Sequence, residues 1–95
     1  MEKEVLEERQ FYERLAKNLT IYRIKAGLTD EELSLKIDMP KDFIYKLEHL
    51  ELEEELDSWT AVLIAKALNI SLTQLVSKEN FVNKIISQEE EDIDG

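Results

Sequence analysis

Apolar residues along the chain fall into short runs with helical spacing. From Val5 to Ala26, the residues Phe11, Leu15, Leu19, Tyr22 and Ala26 recur at intervals of three and four. This is the stripe of an amphipathic helix, and Gly27 is placed to end it with a left-handed cap. The first ten residues are mostly charged, with Val5 and Leu6 as their anchors. The pattern leaves open whether they prolong the helix or fray.

Leu28-Thr29-Asp30-Glu31-Glu32-Leu33 predicts a second helix. Thr29 caps it, Glu32 reaches back to the cap, and Leu28 and Leu33 form a hydrophobic staple. This helix buries Leu33 and Ile37. The turn Asp38-Met39-Pro40 follows, with Pro40 in the first turn of a third helix, where a missing N–H costs little. That helix buries Ile44 and Leu47 and runs to about His49, or further, since Leu50 stands where a terminating glycine is common. Glu51 to Leu56 is an acidic connection. Asp57 or Ser58 caps a fourth helix carrying Trp59, Val62, Leu63, Ala67 and Leu68, with Trp59 expected to close the core. Ile70 to Leu75 repeats the cap-and-staple pattern for a fifth helix. A further helix shows Phe81, Val82, Ile85 and Ile86 on one side, and an acidic tail follows.

The expected architecture is all-α: a compact five-helix domain with an additional C-terminal helix. Residues 1–14 are a charged extension of helix 1, 15–76 the domain, 77–88 the C-terminal helix and 89–95 the tail. A chain of 95 residues suits one modest core. Cysteine is absent, which excludes disulfides, thiolate catalysis and cysteine-ligated zinc. No apolar run reaches membrane-spanning length, and Met1-Glu2-Lys3-Glu4 does not open a secretory signal, so a cytoplasmic protein without membrane partners is expected. An enzyme is not expected. There is no set of nucleophile, base and orienting group, no phosphate-cradling glycine loop, and a single histidine. No cofactor or metal is implied, because Glu51 to Glu55 lack the alternating oxygen ligands and glycine turn of a calcium loop.

Two short helices joined by a tight turn inside a helical bundle form the helix-turn-helix plan. From Leu19 the residues resemble the lambda repressor and Cro (XRE-like) family of regulators. The matching pieces are Leu19-x-x-Tyr22-Arg23, Gly27-Leu28-Thr29-x-Glu31-Glu32-Leu33, Ile44-x-x-Leu47-Glu48, and the run Ile64-Ala65-Lys66-Ala67-Leu68-Asn69-Ile70-Ser71-Leu72-x-x-Leu75. The resemblance spans about residues 15 to 76, with the final block the most specific.

The resemblance implies a transcription regulator that binds operator DNA as a homodimer, with helix 3 in the major groove. Its base-reading positions correspond to Lys41, Asp42, Phe43 and Lys46, with Tyr45 alongside. Asp30 stands where a phosphate-contacting glutamine is usual. Arg23 and Glu48 correspond to a structural ion pair that sets how helices cross. From the residues alone, Phe43 is read as packing against helix 2. Tyr45 stays open between stacking on a partner and covering the core, and His49 is read as an ordinary surface histidine. The side formed by Phe81, Val82, Ile85 and Ile86 is read either as a dimer face or as packing against helix 1.

Charge supplies a second reading. The chain carries −10 overall, and from Asp30 to Asp57 eleven carboxylates face three lysines, a net of −8. Affinity for nucleic acid comes largely from cations that neutralise phosphates. The alternative is therefore an acidic module of the same fold that does not bind DNA. Such a module would bind a basic protein partner, as an antirepressor would.

Overall fold

A computed structural model describes residues 2–77, with side chains from residue 7 onward. Among them are five helices and no strand: α1 (Glu2–Lys25), α2 (Asp30–Lys36), α3 (Phe43–Glu48), α4 (Ser58–Ala67) and α5 (Leu72–Val76). The expected C-terminal helix, with Phe81, Val82, Ile85 and Ile86, lies outside the described residues. The charged N-terminal residues prolong α1, which runs unbroken from Glu2.

Leu15 and Leu19 of α1 meet Leu33, Ile37, Ile44, Leu47, Ile64, Leu68 and Leu75 in one core. α1 packs on α3 and α5, while α2 packs on α3 and α4. Removing such leucines and isoleucines from water is the main drive for these short helices, which are too brief to persist alone.

Local chemistry sets the helix starts. Thr29 accepts from the Glu32 N–H at 3.0 Å while the Glu32 carboxylate accepts from the Thr29 N–H at 2.8 Å. Ser71 and Gln74 repeat this box on α5, and Asp57 rather than Ser58 caps α4 through the Thr60 N–H. These bonds satisfy N–H groups that have no partner inside a helix.

The helix ends are equally regular. α1, α2, α3 and α4 each close with paired backbone bonds around one residue of positive φ, the Schellman arrangement. That residue is Gly27 (φ 72), Asp38 (φ 62), Leu50 (φ 59) and Asn69 (φ 58), respectively. Glycine takes this backbone freely, and Asn and Asp tolerate it. Leucine does so at a cost of about 1 kcal/mol or more. α3 therefore does not run on past His49: Leu50 terminates it without glycine.

Three further expectations are corrected. Pro40 is not in the first turn of α3; it precedes it, and its carbonyl accepts from the Phe43 N–H at 2.9 Å in a tight turn. Ala26 is exposed at the end of α1 and leaves the apolar stripe. Trp59 does not close the core; it is 62% exposed, with the Lys66 ammonium 5.8 Å from its ring centroid. The inward face of α4 is Ala61, Ile64, Ala65 and Leu68, and a residue two positions before Ala61 is turned about 200° away.

Candidate nucleic-acid interface

The angle of α3 is set from behind by polar side chains. Arg23 Nε donates to Glu48 Oε2 at 2.6 Å and Arg23 Nη2 to Oε1 at 3.0 Å. Thr20 donates to the same carboxylate at 2.8 Å, and Arg23 Nη1 donates to the Leu28 carbonyl at 2.9 Å. One guanidinium thus joins α1, the loop before α2, and the last turn of α3. The hydrogen bond to Glu48 holds the arginine pKa above its ordinary value against the opposing effect of burial, and the charges of Glu48 and Asp30 add to it. The ion pair that the resemblance implied for Arg23 and Glu48 is present.

The start of α3 is held in an unexpected way. Asp42 precedes the helix but its side chain makes no capping bond. Ser34, fully buried on α2, supplies it instead: Ser34 Oγ accepts from the Ile44 N–H at 3.0 Å and donates to the Asp30 carbonyl at 2.8 Å. A cap from a neighbouring helix fixes the spacing of α2 and α3 as well as satisfying the donor. The role of Ser34 is not legible in the sequence, because a serine inside a helix reads as a surface residue.

Relieved of capping, Asp42 pairs with Lys46 one turn along, at 3.3 Å, with both side chains about half exposed. Lys41 is exposed in the turn before the helix and has no ion pair among the described residues. Lys36, at the end of α2, is also exposed. Phe43 is half-buried against the core, as its packing reading required, and so contributes little outward surface. Asp30 opens α2, its carboxylate accepting from the Glu31 N–H at 2.7 Å.

Tyr45 is 45% exposed and lies flat on His49, ring centroids 4.0 Å apart at an angle of 22°. His49 Nδ1 sits 2.7 Å from the Tyr45 carbonyl. A carbonyl only accepts, so Nδ1 is the donor in this contact. His49 is thus a partner of Tyr45, which sequence spacing of four on a helix allows but does not reveal.

The outward surface of α3 therefore brings together Lys41, Asp42, Tyr45 and Lys46, and leaves Phe43 and Asp30 at its margins. The acidic segment flanks this surface without covering it. Glu53, Glu54 and Glu55 stand across a depression of about 400 Å³ from Asp42 and Lys46. Among the described residues no three His, Asp or Glu side chains are grouped to hold a metal ion, and no helix is long and apolar enough to cross a membrane.

The chain matches no family model and no curated protein sequence. Its structure is similar to the crystal structure of a hypothetical transcription factor, NHTF, from Neisseria. The TM-score is 0.69 at 22% sequence identity, and the match covers 82% of this chain and 87% of that one. The likeness shows that the two share a fold.

Proposed function

We propose that this protein is a helix-turn-helix transcription regulator of the lambda repressor type that binds operator DNA through α3. The observation that carries this reading is the mounting of α3: Arg23 and Ser34 fix it from behind while Lys41, Asp42, Tyr45 and Lys46 face outward. In this reading Lys41 and Lys46 meet phosphates or guanine edges, and Asp42 accepts from a cytosine amino group. The similarity to a hypothetical transcription factor supports it. The homodimer joined through Phe81, Val82, Ile85 and Ile86 belongs to the same proposal, as does a cytoplasmic, non-enzymatic role.

Fluorescence anisotropy with a labelled random-sequence duplex, at low and then physiological salt, tests it. Binding that weakens with salt, and weakens further in Lys41→Ala and Lys46→Ala, is expected. An affinity unchanged in both variants would overturn the assignment of α3 to the groove.

A second reading is favoured by one observation, the Asp42–Lys46 pair. It leaves Lys36 and Lys41 as the unpaired lysines of a module that carries eleven carboxylates between Asp30 and Asp57. Here the fold serves as an acidic interaction module for a basic protein partner, such as the DNA-binding face of another regulator. Its complex dissolves with rising salt and with Glu53→Lys/Glu54→Lys. Absence of duplex binding even at low salt directs the search to this partner.

A further inference from the structure

We infer that the depression between α1 and the acidic segment after α3 docks a basic amphipathic helix of a partner protein. This rests on the second reading above and assigns its site. The depression holds about 450 Å³. Its floor is apolar, formed by Tyr12, Leu47, Leu50 and Leu52, and its rim is Glu8, Glu53, Glu54 and Glu55 with Arg9. Arg9 is engaged with Glu13 at 3.2 Å, so the rim is dominated by carboxylates.

Two features make this a prepared surface. The Tyr12 hydroxyl accepts from the Leu56 N–H at 3.0 Å, tying the far end of the acidic segment to the α1 wall. The groove is open before any partner arrives. Leu50 is 47% exposed on its floor and occupies a left-handed backbone (φ 59). The same cap carries Gly27, Asp38 and Asn69 on the other helices, all of which suit that backbone better. At this one cap an apolar side chain is presented to the groove at a conformational cost.

An apolar floor with an acidic rim selects its occupant. A helix in a groove offers anchors at i, i+3, i+4 and i+7, and Lys or Arg beside those anchors reach the rim while their aliphatic stems cover the floor. A nucleic acid is repelled by the same carboxylates. A second copy of this chain, at −10, is disfavoured at this acidic rim, whatever apolar face it uses elsewhere. Residues 78–95 carry Phe81, Val82, Ile85 and Ile86, but bring the acidic run from Glu89 to Asp94 against an acidic rim. They also depart from Ser77, whose carbonyl is held by Asn18, about 120° around α1 from Tyr12.

The test is calorimetric titration of the full chain with a synthetic peptide of leucines at i, i+3, i+4 and i+7 among lysines. Controls are a scrambled peptide of the same composition and a Glu-for-Lys counterpart. Amide chemical shifts locate the bound peptide. The ordered basic peptide is expected to bind, shifting Tyr12, Leu50 and Leu52. Leu50→Asn, which keeps the left-handed backbone, is expected to weaken it about tenfold, the equivalent of ~1.4 kcal/mol. Glu53→Lys/Glu54→Lys is expected to weaken it at least as much at low salt, and less at high salt. Binding of both basic peptides with Leu50→Asn indifferent overturns the groove and leaves an acidic partner-binding surface standing. Failure of both basic peptides at low salt removes that reading too. Preference for the acidic peptide overturns the inference. So does self-association abolished by Leu50→Asn, or affinity gained in Phe81→Asp/Ile85→Asp, which assign the groove to a second copy or to the chain's own C-terminal residues.

Discussion

Arg23 and Glu48, 25 residues apart, meet through two nitrogen–oxygen contacts of 2.6 and 3.0 Å with their side chains 15% and 5% exposed. At that depth each charge depends on the other. Glu48→Ala leaves a buried guanidinium with the Leu28 carbonyl, and a loss of about 3 kcal/mol in urea unfolding is expected. Replacing both residues, as in Arg23→Met/Glu48→Leu, is expected to cost far less than either alanine variant, because no orphaned charge remains. A double replacement as damaging as the single ones would show that the pair supplies net stability.

Ser34 offers a sharper separation of effects. Ser34→Ala removes the acceptor of the Ile44 N–H at the start of α3 without changing the size of the core appreciably. A loss of about 2 kcal/mol is expected from the unsatisfied donor. Amide exchange at Ile44 should quicken more than at Leu68, which lies far from the change. Uniform acceleration at both sites would mean that Ser34 acts on the whole fold and not as a cap.

The Asp42–Lys46 pair offers a test of the proposed DNA contact. Both side chains are exposed, so the pair contributes little to stability. Asp42→Asn frees Lys46, and non-specific duplex binding should tighten. The dependence of log K on log salt should steepen by about one unit, as for one more phosphate contact. A slope unchanged by Asp42→Asn would place Lys46 outside the contact.

Acid should loosen the helix starts first. The backbone and hydroxyl hydrogen bonds at Thr29 hold the Glu32 carboxyl below its ordinary pKa, and those at Thr60 do the same for Asp57. A carboxyl with a lower pKa folded than unfolded stabilises the fold above its unfolded pKa. That contribution is lost as pH falls through the folded one. Circular dichroism should therefore show stability declining below the ordinary carboxylate range. The decline should be shallower in Asp57→Asn, which still caps α4 but does not titrate there. An identical acid profile in that variant would remove Asp57 from the effect.

What could be read from the sequence divides along a physical line. Thr29 with Glu32, Asp57, and Ser71 with Gln74 act on backbone groups two or three residues away, so their roles are written in local spacing. Arg23 with Glu48 came through the resemblance, as a pair of positions. Trp59 did not, since whether an aromatic faces inward depends on the rotation of α4 about its axis, set by Ala61, Ile64 and Leu68. Leu50 and Ser34 were illegible for a related reason: each does at its position what a glycine or a local cap ordinarily does. The stacking of Tyr45 on His49 depends on side-chain rotation, which a spacing of four permits but does not fix. Lys41, Asp42, Tyr45 and Lys46 are exposed at α3, while Phe43 belongs with the core.

Asn18, 1% exposed in the middle of α1, donates from one amide nitrogen to the carbonyls of Leu75 and Ser77, both at 2.9 Å, and Arg14 donates to Val76 at 3.0 Å. These bonds span 57 to 62 residues, nearly the length of the described chain. The Asn18 amide of α1 consequently waits for α5: on a ribosome, α3 can cover part of the leucine face, but that amide stays bare until Leu75 and Ser77 have emerged. Contacts of such separation are made late and slowly. For this domain, the polar side of α1 is satisfied only when α5 is in place.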